Sequence, residues 1–401
     1  MKKKYKKKKN KNFEKIVFAL FLAGFSNFFM LYFSQPILSF FSKKFYLSPI
    51  ESSLSLSVST ACMAIGTLFS SFLADFFGRK KVIFLSLLLS ILFTFFSIFA
   101  NSWNQIILFR ALVGFFLSGV TPISIIYLSE EIDASSLSKS IGLYISGNTI
   151  GGFSGRLFSS IGIHYFSWKI LFLLIGLFSF FLIIIFYYYL PESKNFKSSN
   201  ITLKSLKDNF LFQITNEKIV LLFIIGFFTM GSFVAVFNYI NYRLSIMPFH
   251  LSSKSISFIS SIYLVGIYFS QKSSNLVKKN GIFKILIISL ILMIIGLFLT
   301  FWNYLLIIFF GLLLFSSGFF LCHSVISNLV SYFSLKFKIF ISPLYFFFYY
   351  MGASILGTLN GYIWFKFDWF GVIEFLTICL LISIIAILRL KKINKIKNIF
   401  I

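Results

Sequence analysis

Charge is scarce in this chain. Only 12% of its 401 residues are Asp, Glu, Lys or Arg, where a water-soluble domain carries about 25%, and that shortfall excludes a soluble enzyme. Negative charge is scarcer still, with 11 acidic residues against 37 basic ones. None of the eleven stands near the middle of an apolar segment, so no carboxylate is placed to carry a proton through a membrane. The three cysteines, Cys62, Cys322 and Cys379, lie inside apolar stretches, which leaves neither a disulfide framework nor a metal-ligating pair; no metal and no cofactor are expected. No G-x-x-x-x-G-K-[ST] loop occurs, which disfavours a primary pump. A polytopic transferase would need acids or histidines on a substantial loop, and the longest gap, Pro191 to Lys218, holds no paired acids and no histidine.

What is present is hydrocarbon: 58% hydrophobic residues, 60 Phe and a mean hydropathy of +0.91. Windows of about 19 residues mark apolar segments near 16–42, 52–74, 82–101, 104–128, 139–163 and 169–190, then 218–243, 254–275, 283–301, 303–330, 342–364 and 370–389. Their lengths favour helices, and twelve spans use about 264 residues, leaving no soluble domain. The first segment is too long for a signal-peptide core and lacks a small-residue cleavage site, so it reads as a retained helix. Lys and Arg gather in the tails and in every second gap, which places both termini in the cytoplasm. The formal charge of +26 therefore concerns orientation in a lipid bilayer, not nucleic acid.

The division follows: a basic cytoplasmic tail at 1–15, a six-helix lobe at 16–190, a cytoplasmic linker at 191–217, a second six-helix lobe at 218–390 and a basic tail at 391–401. Gly66 and Asp75 have counterparts in Gly266 and Asn275, and Trp168 in Trp369, as a parallel repeat would give.

Three stretches carry chemistry, and five single polar residues add to them. The loop SFLADFFGRKKVI packs Asp75, Gly78, Arg79 and Lys80 into a short turn, where a carboxylate, a tight-turn glycine and a bridging arginine can latch one conformation. In FRALVGFFLSG, Arg110, Gly114 and Ser118 share a helix face; an arginine in hydrocarbon costs about 2.5–3.5 kcal/mol, so it should face a cavity or a polar partner. In IGLYISGNTIGGFSGRLFSS, Gly147, Gly151 and Gly155 form a packing stripe. Asn148, Gly152 and Arg156 form a polar stripe beside it, Gly152 also counting among the packing glycines. Asn27, Gln35, Asn238 and Asn241 are candidate cavity groups with an equal claim to helix–helix hydrogen bonding. His323 is the most deeply placed titratable residue, and its ordinary pKa of about 6.5 suits proton coupling, although a buried histidine is more often simply hydrogen-bonded in place.

The Asp75 loop resembles the major facilitator superfamily signature G-x-L-x-D-R-x-G-R-[RK], matched at Leu73, Asp75, Gly78, Arg79 and Lys80, with Ser71 and Phe76 at its first glycine and first arginine. The Arg110–Gly114 spacing is similar to that superfamily's helix-four pattern. The glycine-rich run is similar to its antiporters' helix five, with Thr149-Ile150 where the usual Gly-Pro pair stands. YFSQPILSF, YLSEEI and FNYINYRL resemble the bacterial YnfM-type group, associated with acriflavine sensitivity or sugar efflux. The resemblance implies an all-α integral membrane protein of twelve helices in two pseudo-symmetric six-helix lobes. It also implies a monomeric inner-membrane efflux permease that moves a small solute by alternating access, with protons as a candidate second partner. Composition alone leaves an uncoupled channel or facilitator open. The two intramembrane arginines, unopposed by a carboxylate, predict an electropositive cavity lined by Arg110 and Arg156 that favours anionic or polyhydroxy solutes over cationic dyes.

Overall fold

A computed structural model describes residues 2–195, 203–251, 255–256, 258–337 and 341–395. The first half contains α1 (Lys2–Tyr32), α2 (Leu38–Phe45), α3 (Pro49–Phe77), α4 (Arg79–Phe96), α5 (Trp103–Leu117), α6 (Thr121–Glu131), α7 (Ala134–Tyr165) and α8 (Trp168–Tyr189). After α9 (Leu203–Thr215) the second half contains α10 (Glu217–Ser245), then a 3-10 stretch, Phe258–Leu264, leading into α11 (Val265–Asn280). It closes with α12 (Ile282–Leu299), α13 (Leu305–Phe337) and α14 (Ser342–Lys395).

Among the described residues nine helices are long and apolar enough to cross a membrane. The last of them contains a non-helical break at Asp368 and makes two crossings. α7, diluted by its Gly, Ser, Asn and Arg, and the 3-10 stretch with α11 complete the twelve of a two-lobed all-α membrane protein.

Local chemistry sets the boundaries. Ser48 and Glu51 form a reciprocal capping box with Pro49 at the first turn of α3, and Ser102 with Gln105 repeats the device at α5. Gly78 between α3 and α4, and Gly281 between α11 and α12, take φ of 86° and 82°, a region that a side chain would strain. The same turn thus recurs at the same place in both halves. Segment 16–42 is broken: Pro36 cannot donate to a helix, α1 stops at Tyr32, and α2 starts at Leu38. The basic stretch expected as a tail continues α1 back to Lys2 as helix, which lysine's helix propensity allows. Within the linker, residues 196–202 lie outside the described residues, as do 396–401 of the C-terminal tail.

The lobes share a packing scheme in which α1 lies on α7 and α10 on α14. A Cβ at Gly147, Gly151 or Gly155 would run into the backbone of Phe21, Phe25 or Phe29 on α1, so this stripe brings two helix backbones together. Gly352 meets Phe227 in the second lobe just as Gly151 meets Phe25 in the first. Gly114 packs on the backbone of Ser59, Gly66 against Phe115 and Ser118, and its counterpart Gly266 against Phe320.

The two lobes meet closely along one half of their length. Towards the face that carries the termini, Thr67 Oγ1 donates to Pro343 O at 3.1 Å, Ser146 and Ser270 hydroxyls lie 3.1 Å apart, and Tyr350 donates to Thr121 Oγ1 at 3.2 Å. Gly142 lets α7 approach the backbone of Ser270 there. Towards the opposite face the lobes separate around a cavity.

Candidate functional site

That cavity has a volume of about 360 Å³ and is lined by the broken segment after α1 (Gln35, Ser39, Lys43), by Arg156 and Ser160 of α7, and by Asn238, Asn241 and Tyr242 of α10. Below it a smaller space of about 20 Å³ is walled by Phe28, Tyr32, Asn148 and Gly152 of one lobe and Phe233, Tyr263, Phe319, His323 and Tyr349 of the other. Arg156 lines both, and neither space is lined by an Asp or a Glu.

Arg156 is only 3% exposed, and its guanidinium lies between two tyrosine rings, 3.9 Å from the centre of Tyr32 and 4.2 Å from that of Tyr263. Stacking of this kind fixes the plane of the charge. Nη1 donates to Gly152 O at 2.8 Å and Nε to Gln35 Oε1 at 2.6 Å. No carboxylate reaches Arg156 among the described residues, so this buried cation is left without a counter-ion. Gly152 therefore belongs to the cavity and not to the packing stripe: its missing Cβ makes room for Arg156 Nη1, and its carbonyl holds it.

Arg110 is a correction. It lines neither space; Nη1 donates to Met30 O at 3.0 Å, Nη2 to Leu31 O at 2.7 Å and Nε to Ser55 O at 3.4 Å, and it is 1% exposed. Met30 and Leu31 stand in the last turn of α1, whose carbonyls lose their helical partners at the Gln35-Pro36 break. Arg110 supplies the missing donors, and its charge is spent on backbone.

Asn27 is also absent from the cavity, donating instead to Thr121 Oγ1 at 3.1 Å. Gln35 and Asn238 are joined across the lobes at 2.5 Å, and Asn241 lines the outer cavity. Asn148 and His323 line the inner space, where His323 stacks on Phe319 and has no partner at Nδ1.

At the terminal face Arg79, 2% exposed, pairs with Asp75 at 2.5 Å and donates to both oxygens of Glu130 at 2.8 and 3.2 Å. Lys80 lies 3.7 Å from Glu192 and over the Tyr187 ring. Gly78 provides the turn that aims Arg79 at α6. Asp75, Glu130 and Tyr187 belong to the first lobe, and Glu192 stands at the start of the linker.

Two features escape a reading of the sequence. The tyrosine clamp brings together Tyr32 and Tyr263, which no local pattern connects. Arg243, at the end of α10, looks like a loop residue but is buried and donates to Phe301 O at 2.8 Å.

The profile of the Major Facilitator Superfamily matches residues 20–358. A transporter of Buchnera aphidicola (subsp. Schizaphis graminum) is 48% identical over 96% of this chain and 94% of its own. The inner membrane transport protein YnfM of Escherichia coli is 42% identical over 95% of this chain and 91% of its own. The crystal structure of the human organic anion transporter MFSD10 superposes with a TM-score of 0.73 at 13% identity, over 93% of this chain and 99% of that one.

Proposed function

Because the chain belongs to the Major Facilitator Superfamily, we propose that it is a secondary transporter that carries a small anionic solute across the bacterial inner membrane by alternating access, in the direction of efflux. The observation that carries the substrate class is Arg156, a buried and permanently charged group with no carboxylate on the cavity wall. An oxyanion would restore the balance; a cationic dye would worsen it. Hydroxyls of Ser39 and Ser160 and the amide of Asn241 suit a hydroxylated acid.

The termini face the cytoplasm in this reading, supported by the lysines of the tails and linker, so the cavity opens to the periplasm. His323, which lines the inner space, is the residue at which we place any proton coupling. The Asp75–Arg79–Glu130 cluster then works on the closed side as a latch within the first lobe. The direction of transport rests on the resemblance to the YnfM-type group.

A thermal-shift screen with matched acids and alcohols, gluconate against sorbitol among them, tests the anion. Stabilisation by acids alone, followed by exchange acceleration in counterflow, is expected. Stabilisation by cationic dyes, or flux without exchange acceleration, would overturn the proposal.

A further inference from the structure

The hydrogen-bond polarity around Arg156 runs in one direction and crosses the lobe boundary. A guanidinium has donors only, so the Gln35 atom at 2.6 Å from Nε must be Oε1. Gln35 Nε2 then faces α10, and Asn238 must answer with Oδ1, at 2.5 Å. This leaves Asn238 Nδ2 buried without a partner, an arrangement that costs stability and persists because the arginine dictates it.

A carboxylate binds arginine best in a two-bond fork. Nη1 is tied to a helix carbonyl, Gly152 O, which cannot move aside, whereas Nε is tied to a side chain, Gln35, which can. An anion that takes the side-on fork of Nε and Nη2 therefore displaces Gln35 Oε1. We propose that Gln35 is the positioning residue that couples anion binding to the lobes. An anion on Arg156 frees the Gln35 amide, which releases the polarity imposed on Asn238 and loosens this contact between α1 and α10. Gln35 thus reports the occupancy of one lobe's charge to the other. The inference rests on the anion reading above.

The test uses Ser160→Cys, one helical turn beyond Arg156 on the cavity wall, in full-length protein lacking the three native cysteines. An anionic ethylsulfonate and a cationic trimethylammonium-ethyl methanethiosulfonate are the probes. Two quantities are read: the ratio of their rates, which reports the charge available at Arg156, and their sum, which reports how open the cavity is.

The parent should prefer the anionic reagent several-fold. Gln35→Glu supplies a built-in carboxylate and should collapse the preference without opening the cavity. Gln35→Leu should keep or raise the preference and increase both rates, because the cross-lobe bond is gone. Asn238→Leu should increase both rates and leave the ratio unchanged, while Ser245→Ala, on the same wall but outside the relay, should move neither. If the parent shows no anionic preference, the anion reading itself fails. If the parent prefers the anion but Gln35→Glu leaves the ratio unchanged, or Gln35→Leu and Asn238→Leu leave both rates unchanged, Gln35 has no coupling role.

Discussion

Replacing Arg110 with lysine separates a structural arginine from a substrate-binding one. The guanidinium holds Met30 O and Leu31 O at 3.0 and 2.7 Å, with a weaker third bond to Ser55 O at 3.4 Å. A hydrogen bond to a charged group is worth about 1.5–3 kcal/mol, and a buried carbonyl left without a donor costs about 1–3 kcal/mol. An ammonium on a flexible stem lacks the fork that spans two adjacent carbonyls. It would keep one bond, lose the other and strand an acceptor, for a net loss of about 3–5 kcal/mol. Detergent-solubilised Arg110→Lys should therefore unfold at markedly lower SDS fraction than the parent. The protein that remains folded should keep its preference for acids over alcohols in ligand-induced melting shifts. Unchanged stability together with lost acid binding would refute the argument and return Arg110 to the cavity.

Asp75→Asn should slow transport while leaving equilibrium affinity for the acid nearly unchanged, because Asp75, Arg79 and Glu130 are not among the described residues that line the cavity; proteoliposome uptake and a binding isotherm, measured together, check this. Gly151→Ala pushes a methyl into the Phe25 backbone and should destabilise by about 1–3 kcal/mol. Gly352→Ala should cost a similar amount against Phe227, and unequal losses in SDS unfolding would contradict the shared packing scheme. Reporter fusions at Asn195 and Ile401 should both score as cytoplasmic.

The fold was largely legible, because a hydrocarbon solvent demands long helices and twelve apolar runs mark them. The breaks were less uniformly so. Pro36 sits inside an apolar run that reads as continuous, whereas the Asp368 break falls in the gap between the segments 342–364 and 370–389. At the site, the GxxxGxxxG spacing announced a close helix contact without naming α1 as its partner, and the neighbouring Arg156 stood out by its charge. The different duties of Arg110 and Arg156 were invisible: both are single arginines on glycine-bearing helices. What divides them is whether a broken helix or a cavity lies within reach, and only the packing of α1 decides that. The tyrosine clamp and the Gln35–Asn238 bond pair residues more than 200 positions apart in sequence, with no periodicity to join them.

The most direct test of the central claim places spin labels on Tyr46 and Met247, both highly exposed at the cavity face and on opposite lobes, and follows their separation as an acid found in the melting screen is added. The account predicts that the distance distribution shifts toward shorter values in the parent as the lobes close over the anion, and that Arg156→Gln abolishes the shift while the protein stays folded. An identical shift in the Arg156→Gln variant, or a shift driven equally by the matched alcohol, would contradict it.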